Sequence, residues 1–177
     1  MASKNGKFFS EIAERIGARA EAEGFIPHPA YIPGWDPGNQ DYSRYLLWPD
    51  VTQRIDNFEI NYRPASEEAS VMVHRSPSPK DVSCVQDVGT DPVDWSRLML
   101  VQGSTRFAAQ PKMNLWPWSG NSGFSTRKRA AEAPLEEAKR IIAVWDDVAP
   151  YLFAALRGEY VGRRVDVQRI RPTTVSW

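Results

Sequence analysis

Two histidines, His28 and His74, are the natural proton carriers of this chain near neutral pH. A nucleophilic triad needs a base within reach of one nucleophile and one orienting carboxylate. His28 lies in a proline-rich stretch, and His74 ends an apolar alternation. Neither has a nucleophile motif such as G-x-S-x-G beside it. Structural or surface roles are therefore expected for both. An enzyme on this chain would have to assemble its carboxylates in space, joining His28 or His74 to two acids in one polar pocket.

Other chemistries have little support. One cysteine and two separated histidines make no usual zinc set without carboxylates. Asp36, Asp41, Asp50 and Asp56 are scattered and read as turn and capping residues, so no metal is expected. "GWDPG" and "SGNSG" have neither the P-loop lysine nor dinucleotide-binding spacing, and no cofactor is expected. Cys84 has no CxxC partner and reads as a small buried hydrophobe. Asp146 and Asp147 follow each other on a helical pattern. Helical neighbours point about 100° apart, so the two read as a solvated face rather than a catalytic pair.

The stretch that most resembles a working surface is "PKMNLWPWSGNSGFSTRKR", residues 111–129. Trp116 and Trp118 flank a proline, and Arg127, Lys128 and Arg129 follow. In an extended segment residues 116 and 118 point the same way, so both tryptophans are presented or buried together. Tryptophan and arginine are enriched at protein-binding hot spots, and they also suit stacking on bases and holding phosphates. The competing reading is that Leu115 and a tryptophan pin the loop to the core. With Trp35 of an earlier loop, the candidate partner-binding set is Trp35, Trp116, Trp118, Arg127, Lys128 and Arg129.

Charge limits the nucleic-acid alternative. The 177 residues carry 22 basic and 22 acidic side chains, unlike a general binder of nucleic acid or membrane. The distribution is uneven. Residues 1–96 hold 9 Lys and Arg against 15 Asp and Glu, and residues 97–177 hold 13 against 7. A basic face would use Arg127, Lys128, Arg129, Arg163, Arg164, Arg169 and Arg171. The N-terminal sequence enters a charged amphipathic segment at once, without the apolar run of a signal peptide. No run approaches the roughly eighteen apolar residues of a membrane span. A lone cysteine gives no sign of an oxidising compartment. A soluble cytoplasmic chain is expected.

These residues need elements to position them. Phe8, Ile12, Ile16 and Ala20 repeat at helical spacing, widened by Phe9 and Ala13. Ser3 or Asn5 can cap this helix, and Gly24 can end it with Phe25 folding back. Gly17 reads as a weak point, costing about 1 kcal/mol against Ala. "FIPHPAYIPGWDPGNQD" has four prolines and two glycines and reads as an irregular loop. "YSRYLLWPD", "RIDNFEINYRP" and "ASVMVHRSP" read as a three-stranded antiparallel meander. Its second strand turns Phe58, Ile60 and Tyr62 to one face and Glu59, Asn61 and Arg63 to the other. "DVSCVQDV" is a candidate fourth strand.

"TDPVDWSRLMLVQG" reads as a helix capped by Asp91 and stopped by Gly103. The rival is a hairpin turning at Gly103–Ser104. "APLEEAKRIIAVWDDVAPYLFAALRGEY" is the strongest helix, with Pro134 at its start. Pro150 is expected to kink or split it near Val148. The tail, residues 161–177, reads as a last strand or an extended arm. The whole predicts one α+β domain over residues 1–177. An antiparallel sheet of about four to five strands is packed by an N-terminal helix and a long, Pro-kinked C-terminal helix.

The leading "FFSEIAERIGARAEAEGF" helix, the "RIDNFEINYR" and "ASVMVHR" strands and the closing "EEAKRIIAVWDDVAPYLFAAL" helix resemble, in element order, small bacterial α+β proteins of the toxin-immunity type. That resemblance implies a protein-binding habit and carries no site residues with it. The expectation is a non-enzymatic binding protein that recognises, and inhibits, a protein partner. The alternatives are nucleic-acid association and a spatially assembled carboxylate enzyme.

Overall fold

The computed structural model describes residues 3–29, 32–36, 40–80, 82–88, 104–109, 118–119, 123–125 and 129–170. Helix α1 spans Lys4–Ala22. Its first free amide group is taken by Ser3, whose hydroxyl accepts from Gly6 N at 3.0 Å. Phe8, Phe9, Ile12, Ala13, Ile16 and Ala20 are buried along the stripe that the periodicity predicts. At the other end Gly24 adopts φ 108°. Gly24 N donates to Glu21 O at 3.0 Å and Phe25 N to Ala20 O at 3.1 Å, closing the helix and folding Phe25 back into the core.

Nine strands form one antiparallel sheet among the described residues, more than the four to five expected. They are β1 (Ile26–Pro27), β2 (Gly34–Asp36), β3 (Asp41–Leu47), β4 (Arg54–Arg63), β5 (Glu68–Pro77), β6 (Ser104–Ala109), β7 (Trp118–Ser119), β8 (Gly123–Ser125) and β9 (Val165–Ile170). The main order is β1-β3-β4-β5-β6-β9. β2 also pairs with β3, and β8 pairs with β5 and β7. The expected meander is β3-β4-β5. The additional strands are mostly fragments of two or three residues, too short to leave a periodicity. Two of them lie in the proline-rich segment read as irregular. Pro27 is tolerated there because β1 is an edge piece, where the missing N–H interrupts no interior ladder.

Helix α2 (Arg129–Glu132) leads into α3 (Pro134–Leu156). α3 continues through Pro150 instead of splitting near Val148. Val148, Ala149, Leu152 and Phe153 are all buried, so packing anchors the helix on both sides of Pro150. Pro150 and Asp146, whose carbonyl loses its helical donor, are both exposed. α1 and α3 cover one face of the sheet. Phe8 packs edge-on to Tyr62 at 4.6 Å, and Phe58 meets Trp145 at 6.0 Å and Phe153 at 6.2 Å between ring centroids. Trp145, 1% exposed, is among the largest side chains of this core.

Two expectations are corrected at residues 82–88. "DVSCVQDV" is no strand in its described part, because Val85–Asp87 form a short 3-10 turn. Asp87 Oδ2 accepts from Ser83 N, Ser83 Oγ, Cys84 N and Cys84 Sγ at 2.8–3.2 Å, and this cap competes successfully with a ladder. The same donors hold the Asp87 carboxyl far below its usual range. Cys84 is exposed rather than buried, held outward by that cap. The helix expected over residues 91–102 lies outside the described residues. The tail forms a strand as far as Ile170, β9, which pairs with β6 from Ser104↔Ile170 to Ala109↔Val165.

Candidate functional site

Of the six residues expected to bind a partner, Trp116, Arg127 and Lys128 lie outside the described residues. For Trp118, in β7, and Arg129, at the start of α2, only the backbone is described. Trp35 is the one whose surroundings are defined. Its strand pairs with β3 in the register Trp35↔Tyr42. The two rings lie 4.9 Å apart, and Tyr42 in turn rests 5.5 Å from Phe9 of α1. Ser3 Oγ and Tyr42 OH, 3.0 Å apart, fix Tyr42 from the helix start. Trp35 is therefore supported from beneath, yet 49% exposed. Ile32, three residues earlier, is 90% exposed.

Of the expected basic face, Arg127, Lys128 and Arg171 lie outside the described residues, and Arg164 is engaged. Arg164 Nη1 is 3.3 Å from Asp147 Oδ2, and its guanidinium lies 4.8 Å over the Tyr151 ring. Arg163 and Arg169 are exposed. The geometry of the two histidines differs. His28 is buried, its pKa lowered by that burial, and its backbone N donates to Tyr45 O at 3.1 Å. His74 meets one acid, Glu59. No group of three or more metal-ligating side chains occurs among the described residues. None of their helices is long and apolar enough to cross a membrane.

A cleft of about 130 Å³ opens near the end of α3, lined in part by Phe25, Trp48, Arg54, Asp56, Arg75 and Arg157. Asp56 is 3% exposed and chelated by Arg75, with Nε–Oδ1 2.7 Å and Nη2–Oδ2 2.8 Å. Arg54 Nε approaches from the other side at 3.3 Å. Arg75 Nη2 also donates to Leu156 O, 2.9 Å away, so the pair fastens the end of α3 to the sheet. Asp56 is fully engaged by these arginines, and its side of the cleft reads as architecture.

A second polar group lies on the sheet face opposite the helices. Phe58, Ile60 and Tyr62 point to the helices, so Asn57, Glu59 and Asn61 point away. The register carries that face across the sheet: Asn57↔His74, His74↔Arg106 and Arg106↔Gln168. This would ordinarily be a solvated face, but Asn57 and Asn61 are each 4% exposed and Ser104 is 7% exposed. One end is apolar, where Leu47, Val51, Ile55 and Val88 cluster with Val82 and Val85. His74 Nε2 lies 3.4 Å from Glu59 Oε2, and Asn61 Nδ2 donates to Glu59 Oε1. Arg106 Nη2 donates to Gln168 Oε1 at 2.6 Å. Asn57 Oδ1, Asn61 Oδ1, His74 Nδ1, Ser104 Oγ and Arg106 Nε are buried with no hydrogen-bond partner among the described residues.

Sequence reasoning missed this group because strict alternation in β4 reads as an outward polar face. A signal was present in two asparagines, four residues apart, inside a strand, where asparagine is disfavoured. Compared with known proteins, the chain matches no family model, no curated protein and no solved structure.

Proposed function

We propose that this chain is a binding protein that recognises, and in the manner of an immunity protein inhibits, a protein partner. The observation that carries the reading is Trp35, half exposed and held on Tyr42 beside the outward Ile32. A tryptophan already fixed before contact loses little conformational freedom on binding, which favours it as an anchor. The balance of 22 basic and 22 acidic side chains makes nucleic acid the less favoured partner.

The test is affinity capture from nuclease-treated lysate, with the wild-type chain and an Ile32→Ser/Trp35→Ala variant as baits. The captured protein is then purified and rebound. The expected result is a stoichiometric complex that survives nuclease and weakens by about 30-fold or more in the variant, as loss of a hot spot requires. The variant should keep its native unfolding transition. Unchanged affinity in a folded variant, or capture that disappears with nuclease, would refute the reading.

A further inference from the structure

The cleft at the end of α3 has a chemistry that fastening the helix to the sheet does not use. We infer that it is a binding site for a small aryl carboxylate, its ring against Phe25, Trp48 and Leu156 and its carboxylate on the free guanidinium edges of Arg54 and Arg157.

Size sets the apolar part of the ligand. The cleft holds about 130 Å³, and an apolar cavity of about 150 Å³ takes up benzene, so there is room for one ring. The buried rings of Phe25 and Phe153, with Trp48 and Leu156, give that ring an apolar wall. Trp48 is in place beforehand. Its ring lies 5.5 Å from that of Phe25, and a Cβ at Gly24 would meet it at 3.1 Å. Donor balance sets the polar part. The lining carboxylates are already engaged: Asp56 by Arg75 and Arg54, and Glu23 by Arg19 at 3.1 Å and Arg157 at 3.6 Å. The carbonyls that end α3 are engaged too. Those of Phe153, Ala154 and Ala155 accept from the backbone N–H groups of residues 157–159, and that of Leu156 accepts from Arg75. Arg54 and Arg157 are therefore not needed to cap the helix. Among the described residues Arg54 gives only Nε, to Asp56, and Arg157 gives Nε to Glu159 and Nη1 to Glu23. Both terminal nitrogens of Arg54 and Nη2 of Arg157 are left over. A guanidinium stays charged and can only donate, so what remains calls for an acceptor at any ordinary pH. These groups are close together: Arg54 Nε, Asp56 Oδ2, Arg75 Nη2 and Leu156 O follow one another at 3.3, 2.8 and 2.9 Å, and Arg157 is next in the chain. Within ion-pair distance Arg19, Arg54, Arg75 and Arg157 face Glu23, Asp56 and Glu159, an excess of one cation that a single carboxylate neutralises.

The experiment uses the full chain labelled with 15N at tryptophan. The indole N–H of Trp48, assigned with Trp48→Phe, is followed by NMR during titration with sodium benzoate. Benzamide keeps the ring without the charge, and sodium acetate keeps the carboxylate without the ring. Benzoate should move the Trp48 resonance saturably, and benzamide and acetate should each bind at least about tenfold more weakly, a difference of about 1.4 kcal/mol. That comparison needs only the wild-type chain. Arg54→Gln and Arg157→Gln remove half-exposed side chains, so both variants should keep the native urea transition, and each should weaken benzoate binding about tenfold. The inference is overturned if benzoate produces no saturable shift, or if benzamide or acetate binds as well as benzoate. Benzoate binding that survives both arginine substitutions in folded protein would place the site elsewhere and also overturn it.

Discussion

Replacing Gly17 with alanine tests how α1 is held to the sheet, because two effects of opposite sign meet at one atom. Gly17 lies inside a helix, and propensity alone predicts that Gly17→Ala stabilises by about 1 kcal/mol. The structure predicts the reverse. A Cβ at residue 17 would stand 2.6 Å from Arg44 Cζ, 2.7 Å from Nη1 and 3.0 Å from Nε. Long side chains usually move aside, but the Arg44 guanidinium is tied at both ends. Nη1 donates to Ala13 O at 2.9 Å, and Nη2 meets Glu21 Oε1 at 2.5 Å. Displacing it forfeits a hydrogen bond from a charged group, worth about 1.5–3 kcal/mol. The half-exposed ion pair with Glu21 adds about 0.2–1 kcal/mol. Set against the propensity gain, the net expectation is a loss of about 1–3 kcal/mol. That is a fall in Tm of roughly 2–12 °C at this chain length. The assay is urea unfolding of four proteins: wild type, Gly17→Ala, Arg44→Ala and the double variant. With Arg44 shortened the space is open, and Gly17→Ala should then stabilise by up to about 1 kcal/mol. The same sign in both backgrounds, with Gly17→Ala stabilising the wild type, would refute the clamp.

Two further outcomes follow from buried charge. Asp56→Ala should cost about 2–3 kcal/mol by urea unfolding, because it leaves Arg75 half-buried without its carboxylate; the figure sits at the low end for a broken buried pair since Arg54 and Arg75 still reach water. Asp56→Leu combined with Arg75→Met should recover most of that loss, and a cost below about 1 kcal/mol for Asp56→Ala would show that the clamp does not hold the end of α3. His28 is buried and its pKa is lowered, so below about pH 6.5 the unfolded chain binds its proton before the folded one does. Stability should be full above about pH 6.5 and fall as pH drops through the window beneath it, and His28→Gln should flatten that slope in urea midpoints; an unchanged slope would remove His28 as its source.

What could be read directly from the sequence was whatever announces itself by period. Phe8, Ile12, Ile16 and Ala20 bury as a helical stripe, and Phe58, Ile60 and Tyr62 bury as one strand face. Termination signals were equally local, as at Gly24, whose φ of 108° suits glycine and few other residues. Failures came where a local reading met a distant neighbour. Gly17 reads as a defect until Arg44 of β3 is found to occupy its missing Cβ. Pro150 reads as a break until the residues buried on either side of it are seen to hold one continuous helix. Cys84 reads as core because its type favours burial, whereas Asp87 three residues later draws it into an exposed turn. Of the candidate site, Trp35 was accessible to inspection as an aromatic residue in a proline-rich segment. The group around His74 was not, because alternation says which residues share a face but not whether that face meets water.

That last distinction bears on why the polar face exists at all. A sheet covered on both sides ordinarily carries apolar residues on both, since burial of each unmatched polar atom costs about 1–3 kcal/mol. Five such atoms stand on this face among the described residues. Their combined cost would rival the whole stability of an ordinary domain, about 5–15 kcal/mol. Apolar side chains at Asn57 and Asn61 would remove part of the penalty, and Ile60 and Val71 show that this strand pair accepts them on its other face. Asn57→Leu should therefore raise stability in urea unfolding, and a loss instead would show that the Asn57 amide is satisfied in the folded chain.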